Sequence, residues 1–561
     1  MLHHHHHHHR SNHPISELKK VKNHWKVKEG NFDRRLRGKD INQKALAANG
    51  TIWDPESQKH AHHRDPIKHP NEAIKQRWLT GGENEFGRLC QGFPPNNTEG
   101  MDVTEWIFFH KAMKDKQVTC ARHTVAHRPE KEEKNRVQIA AGGDRLTCDG
   151  PTSTQVSAPE TFKLSVNSTI SNKNSKMFAG DVSNVCLENW LKNAECVRFR
   201  LDQIPPRTVE HCKPLEKAHN GHVNAKINKA WHGLKQSGKI AHDDLVEHSA
   251  KIGHHKGETE GPFLHKEKDL VFCLVVDNFA CRHSKKQDAL DLMEHIEKKS
   301  KFKVDWEAHQ CVGVNLTWDC KNRKVQLSVD GCVKQALEEL RRVKPKRPEW
   351  APSHMVRPNC GTAMQCAEDD NTKELDETAT KHKQQAIGKS LCCGRAIDNT
   401  MPHAINNTAT AKNTEKTMKA VRHPPNCAAT NPDAMIECRA SDMIIAAESN
   451  AACPASPGAK SRAGGIHCLT DRKQEHFDGA IVVSAKTAKH VMRSAAEAEM
   501  SALFMNAQEL MPLRQCSEEL GHKQPPTTVK TDNSTAMGIA NETIKQKRSK
   551  SMDMRTHWVK D

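Results

Sequence analysis

The sequence predicts a multi-domain chain of the α/β (α+β) class, and three observations predict it. First, Leu274-Val275-Val276 reads as a strand that ends at Asp277-Asn278 and returns through Phe279-Ala280-Cys281, the pattern of a tight hairpin with an acid at its tip. Second, helical spacing follows at once, with Ala289, Leu292, Met293 and Ile296 on one face. Third, a separate strand-and-helix set begins near Met443. A length of 561 residues suits roughly three or four domains.

Composition narrows the function classes. The formal net charge is +17 and the sequence pI about 9.0. That balance favours a polyanionic partner, because neutralising phosphates releases counterions. No run of about 18 apolar residues occurs, so no transmembrane helix and no membrane partner are expected. No signal peptide is visible, and the run His3 to His9 resembles a purification tag or a low-complexity tract. The 20 Cys include no C-x-x-C pair, and Cys392-Cys393 and His60, His62, His63 lack zinc-ligand spacing, which argues against a zinc finger. With no secretory signal, most thiols are expected to be reduced and structural. Tyr is absent, aromatics are 4 %, apolar residues 35 % and mean hydropathy −0.79. So few large side chains predict marginal stability and several disordered segments.

Residues 1 to about 70 are His-rich and charged, and are expected to be disordered. Residues 71–143 are mixed, with one strongly apolar stretch at Thr104 to Met113 and a strand at Arg136 to Ala141 that ends in the Gly142-Gly143 turn. Residues 149–160 read as a loop. Phe162, Leu164, Val166 and Ile170 fit strand or helix. Met177 to Leu187 is a short apolar segment containing Asp181, and Ala230 to Lys239 is a glycine-punctuated turn with a basic end. After the Asp277 hairpin, Ser284 with Gln287 fits a capping box for the next helix. Val312, Val314, Leu316, Trp318 and then Val325, Leu327, Val329 alternate around Cys320 to Arg323, which reads as a second hairpin. Val333, Ala336, Leu337 and Leu340 share a helix face. Residues 343–435 read as a connector, Pro-rich and then acidic at its start. Strands are expected at Met443 to Ala447, Ala480 to Ser484 and Thr528 to Thr531. A long helix is expected at Ala495 to Leu520, with Met500, Leu503, Phe504, Ala507, Leu510 and Met511 buried.

At this point several stretches match a known family. Asn84 to Leu89 with Gln91-Gly92, Asn135 to Gly143, Gly180-Asp181-Val182 to Leu187, His232-Gly233-Leu234-Lys235-Gln236 and Val276-Asp277-Asn278 resemble the reverse transcriptase of copia-type retrotransposon polyproteins. Ser461 to Gly465, Ala496 to Glu499 and Thr531 to Ser534 resemble the ribonuclease H half of the same polyprotein. The resemblance spans roughly residues 80 to 561. It implies a palm, fingers and thumb-like domain over 80–342, followed by a ribonuclease H-like α/β domain over 436–561. No integrase or protease motif is visible, and the end at Asp561 looks early for the family.

The resemblance also implies a chemistry. A polymerase of this family uses two metal ions, Mg²⁺ or Mn²⁺, to activate the primer 3′ oxygen and steady the triphosphate. Its partners are an RNA template with a DNA primer, the RNA–DNA hybrid and deoxynucleotide triphosphates. The family supplies three carboxylates, of which Asp181 and Asp277 match while the third position is Asn278. Where the family carries an aromatic that blocks a ribose 2′-hydroxyl, this chain has Cys186, which predicts weaker sugar discrimination. Gln236 resembles the residue contacting the incoming nucleotide, and Arg136 is placed near its triphosphate. In the ribonuclease H half the matches are Asn450, Glu499 and Asp532, with Asp553 a fourth, and again the first carboxylate has become an amide. The metal ligands left are Asp181, Asp277, Glu499 and Asp532. For each position the plain alternative is a surface polar residue or turn.

Cys332, Cys392, Cys393 and His232 stand where the family often has Tyr, which fits a decayed or recoded element. Three readings stay open on the sequence: an impaired RNA-directed DNA polymerase with ribonuclease H, a non-catalytic basic nucleic-acid-binding relic, and an unfolded product. The family suggests an intracellular place, a cytoplasmic particle or the nucleus.

Overall fold

The computed structural model describes residues 51–54, 59–62, 69–111, 116–128, 131–154, 157–259, 261–340, 342, 344–354, 369–456, 460–544 and 558–559. Within the His-rich segment expected to be disordered, β1 (Thr51–Asp54) and β2 (Lys59–His62) pair as antiparallel strands; residues 1–50 lie outside the described residues. Helix α1 (Glu72–Leu89) begins at Asn71, whose side chain accepts from the amides of Ala73 and Ile74. Strands β3 (Thr104–Ile107), β4 (Val118–His127) and β5 (Asn135–Ala141) follow. The segment that fitted strand or helix is helix α2 (Pro159–Ser171). Pro159 opens it, where a missing N–H costs nothing, and Phe162, Val166 and Ile170 recur every fourth residue on its buried side.

Next come β6 (Lys176–Val182), β7 (Trp190–Arg200), α3 (Pro206–Cys212), β8 (His222–Lys229) and α4 (Ser237–Ala250). Then β9 (His254–Lys256), β10 (Phe263–His265), β11 (Leu270–Val275) and β12 (Asn278–His283) lead into α5 (Lys286–Glu297) and β13 (Phe302–Asp305). The expected capping box before α5 does not form: Lys285 is the cap residue, Ser284 hydroxyl donates to Asp269, and Gln287 donates to Asp291. Strands β14 (Gln310–Cys311), β15 (Val314–Asp319) and β16 (Lys324–Ser328) make the expected second hairpin, followed by α6 (Cys332–Glu339).

The expected connector is largely helical, with α7 (Glu377–Ala396), α8 (Pro402–Thr410), α9 (Glu415–Ala420) and α10 (His423–Thr430). The last part holds β17 (Met435–Arg439), β18 (Ile444–Ser456), β19 (Lys460–Thr470), β20 (Val482–Thr487), α11 (Ala495–Glu519), β21 (Thr528–Lys530) and α12 (Ser534–Ala540). Helix α11 is the one expected, except that Met511 is exposed and Phe504 and Ala507 are only half-buried.

The strands form four larger sheets. A five-stranded sheet runs β3-β8-β7-β4-β5, and a six-stranded antiparallel sheet runs β13-β6-β12-β11-β10-β9. A small sheet runs β14-β15-β16-β17, and the last runs β20-β19-β18-β21 with β18 and β21 parallel. The six-stranded sheet is covered on both faces, which explains why β11 reads as an unbroken apolar run. Phe178, Val182, Phe279 and Phe272 pack under α4 and α5, while Met177, Ala179, Ala280 and Cys273 pack toward α2 and the small sheet. The fold is thus the mixed α/β class that was expected, with a central six-stranded sheet and a separate four-stranded final sheet. Among the described residues no helix is long and apolar enough to cross a membrane.

Candidate functional site

Strand pairing alone brings the first set of acids together. β6 and β12 are neighbours, and the Cα partner of Asp181 is Asn278. β11 and β12 are joined by the two residues Val276 and Asp277, with Val275 opposite Asn278. Val276 has φ +60, a conformation that glycine takes freely and a β-branched residue does not, and it swings Asp277 onto the sheet end. The Val182 amide donates to the Asp277 carbonyl at 2.8 Å, which ties the hairpin turn to the strand carrying Asp181. Gly180 admits the Phe302 ring, since a Cβ there would lie 2.1 Å from it. Asp181 and Asn278 therefore lie side by side at one end of two inner strands, with Asp277 in the adjoining turn.

The charges at this end are not those of a full acid cluster. The Asn278 amide donates to an Asp277 carboxylate oxygen at 2.9 Å, occupying a lone pair a cation would need. Lys303 is the partner of Asp181 on its other side, in β13. Asp181 keeps an exposed surface, yet the protein around it shuts out enough water to push its carboxyl above the usual range, against the opposing pull of Lys131 and Lys303. Those two lysines were not singled out from the sequence. Lys303 sits in the basic run Lys298 to Lys303, whose meaning depends on the β6–β13 register.

The other expected nucleotide contacts are placed differently. Arg136, on β5, pairs with Glu85 at 3.0 Å and with Glu133 at 2.9 Å, so its guanidinium is held inside an ion-pair cluster beneath α1. Cys186 lies in the turn after β6 and is buried with Val185, Phe178 and Val182. Gln236 stands at the start of α4, its amide 3.5 Å from Glu195. The glycine turn before it docks on β5: the Ala141 amide donates to His232 carbonyl at 2.8 Å. Gly233, at φ +94, lies so close to Ala141 carbonyl that a Cβ would sit 2.1 Å away. Two stretches that resembled family motifs, Asn135 to Gly143 and His232 to Gln236, are thus pressed together.

The second set also converges. Asn450 is on β18, Glu499 on the first turns of α11 and Asp532 just after β21. The Ala451 amide lies 2.8 Å from Asn450 Oδ1 and 3.0 Å from Glu499 Oε1, so both oxygens share one donor. Glu499 is buried, and burial raises its carboxyl above the usual range while the Ala451 amide opposes that. The Asp532 carboxyl hydrogen-bonds it and adds like charge, raising it further. Glu497, its neighbour, accepts from the Arg493 amide at 2.7 Å and serves the helix start. Asp553 lies outside the described residues.

Neither set fits a pair of dications. Among the described residues each offers two carboxylates and one neutral amide, and at the first set two lysines add positive charge. Among the described residues no group of three or more His, Cys, Asp or Glu could hold a metal ion. A site for two Mg²⁺ needs more anionic oxygen than this.

No family model matches the chain, and no curated protein matches it. Solved structures similar to it include two of a foamy viral protein. A foamy viral protease-reverse transcriptase in complex with double-stranded DNA has a TM-score of 0.43 and 12 % identity over 80 % of this chain and 65 % of that one. The same kind of protein in complex with an RNA/DNA hybrid has a TM-score of 0.40 and 12 % identity over 82 % of this chain and 49 % of that one. The chain therefore spans about half to two thirds of the length of the structures it resembles.

Proposed function

We propose that this chain binds template-primer and RNA–DNA hybrid as a retrotransposon-type reverse transcriptase with ribonuclease H, and that both of its phosphoryl-transfer centres are impaired. The observation that carries the reading is the register of Asn278 against Asp181, with Asp277 at the adjoining turn. Two acids and an amide stand together there, one charge short of the three carboxylates such a centre uses. The same departure recurs at Asn450 beside Glu499 and Asp532, in a separate sheet. Asp181 and Asp277, and Glu499 with Asp532, are the carboxylates that would take Mg²⁺ or Mn²⁺, one ion weakly rather than two. The net charge of +17 supports binding to phosphates. Deoxynucleotide triphosphates are the further substrate on this reading.

Primer extension on purified protein beside the Asn278→Asp variant tests it. The variant is expected to extend a primer in Mn²⁺ roughly 10²-fold faster than the original, the scale of a lost metal ligand. Both proteins should bind template-primer with an affinity that falls steeply with salt. A variant that binds template-primer normally and still extends nothing would overturn the polymerase reading. Salt-insensitive binding would overturn the nucleic-acid reading.

A further inference from the structure

Away from both acid centres, three thiols meet. Cys332 Sγ lies 2.6 Å from Cys393 Sγ, although 61 positions separate them in sequence. The Cys392 thiol also hydrogen-bonds Cys332. Cys332 is the first residue of α6, after a Gly331 cap that offers no side chain to the helix's free N–H groups. Cys392 and Cys393 are neighbours near the end of α7, one turn beyond Lys389. Lys389 in turn is paired with Glu339 at the end of α6. Cys332 and Cys392 are partly exposed while Cys393 is buried, so a small reagent can reach the cluster from its Cys332 side.

We propose that Cys332 is an oxidation site, which a low-molecular-weight disulfide converts into a protein disulfide with Cys393 or Cys392 that ties α6 to α7. The Cys332 thiolate attacks one sulfur of the small disulfide, forming a mixed disulfide and releasing one small thiol. The Cys393 or Cys392 thiolate then attacks Cys332 Sγ, breaking the mixed bond and releasing the second small thiol. Two protein thiols lose two electrons and two protons, and one small disulfide becomes two thiols. Hydrogen bonding to Cys392 favours the Cys332 thiolate, but its bond to Cys393 and burial outweigh that and push the thiol up to about 12. The exchange is therefore slow, and the reduced cluster persists until oxidant is plentiful. Once formed, the bond closes a long loop and restricts the unfolded chain.

The test uses the full chain treated with oxidised glutathione, quenched by alkylation, digested and mapped without reduction. The expected product is a peptide joining Cys332 to the Cys392-Cys393 peptide. The oxidised protein should melt at a higher temperature than the same protein reduced with dithiothreitol. Cys393→Ser should keep a link through Cys392, and Cys332→Ser should lose both link and shift. A map of the folded, unaltered protein in which Cys332 stays alkylated or remains a glutathione adduct overturns the proposal, whether or not either variant folds. So does a linked protein whose melting temperature equals that of the reduced one.

Discussion

Val276 holds a left-handed backbone at the hairpin tip, where its side chain is 39 % exposed and gains little from burial. A β-branched residue there costs roughly 1–2 kcal/mol relative to glycine. Val276→Gly is therefore expected to raise the unfolding free energy by about 1 kcal/mol, less a few tenths for the freer unfolded chain, and so to shift the denaturant midpoint upward. An unchanged or lower midpoint would mean the turn is not strained. The neighbouring Asn278 gives the opposite expectation. Asn278→Asp places a carboxylate across from Asp181 and removes the amide that serves Asp277. In chelator the variant should melt lower than the original, and Mn²⁺ should return the loss to the variant while leaving the original almost unmoved. Equal response of both proteins to Mn²⁺ would show that the amide was not what limits metal binding. At this scale much was legible, since strand pairing brings Asp181, Asp277 and Asn278 together and sets β18, which carries Asn450, beside β21, which leads to Asp532, while Glu499 joins them from helix α11. What it hid were side chains whose role is set by a neighbouring strand. Arg136 is held by Glu85 and Glu133, and Lys303 comes to Asp181, for reasons of register that no local motif carries.

Elements with a strong internal period were readable and those without were not. α11 and the two hairpins carry their pattern in a single run of residues. β4 and β7, by contrast, are charged strands whose alternation is blurred by His, Arg and Lys, and they take shape within the sheet, β4 antiparallel to β5, β7 antiparallel to β8, and the two parallel to each other. Helix α2 was ambiguous because it is buried nearly all round, from Thr161 to Ile170, so its apolar spacing does not separate helix from strand. That burial has a consequence at its far end. Ser168 on α2 hydrogen-bonds His522, just past α11, at 2.7 Å, and Arg282 donates to both Ser168 and the Leu520 carbonyl. Burial lowers the His522 imidazole to about 4, and the Arg282 charge adds to this against the weaker pull of Asp269. The folded protein keeps His522 neutral while an unfolded chain protonates it near 6.5. Its contribution is thus complete above about pH 6.5 and is lost as pH falls toward 4. His522→Gln, which keeps an acceptor for Ser168, should flatten the fall in melting temperature over that window. An identical pH slope in both proteins would remove His522 from the acid response.

At the scale of the whole molecule, the boundary near residue 436 that the sequence suggests does not separate two independent cores. Leu164 of α2 and Val271 of β11 are buried in one apolar cluster with Met443, Ile445, Leu469, Leu510, Leu513 and Leu520. β17, at the start of the second part, completes the small sheet by pairing along β16. The Glu519 carboxylate accepts from the amides of Glu258 and Thr259, in the loop before β10. A boundary drawn from motifs marks where one set of acids ends and another begins, whereas a packing boundary depends on which apolar faces cover each other. With few aromatics and modest apolar content, neither part has surface to spare. Residues 436–561 produced alone would expose the α11 face that Leu164 and Val271 cover, and leave β17 without its sheet. That fragment is expected to melt without cooperativity and to bind a hydrophobic dye, while the full chain gives one cooperative transition for both parts. A fragment that unfolds cooperatively near the temperature of the full chain would show that the shared cluster is dispensable, and that the two acid centres are carried on separable domains.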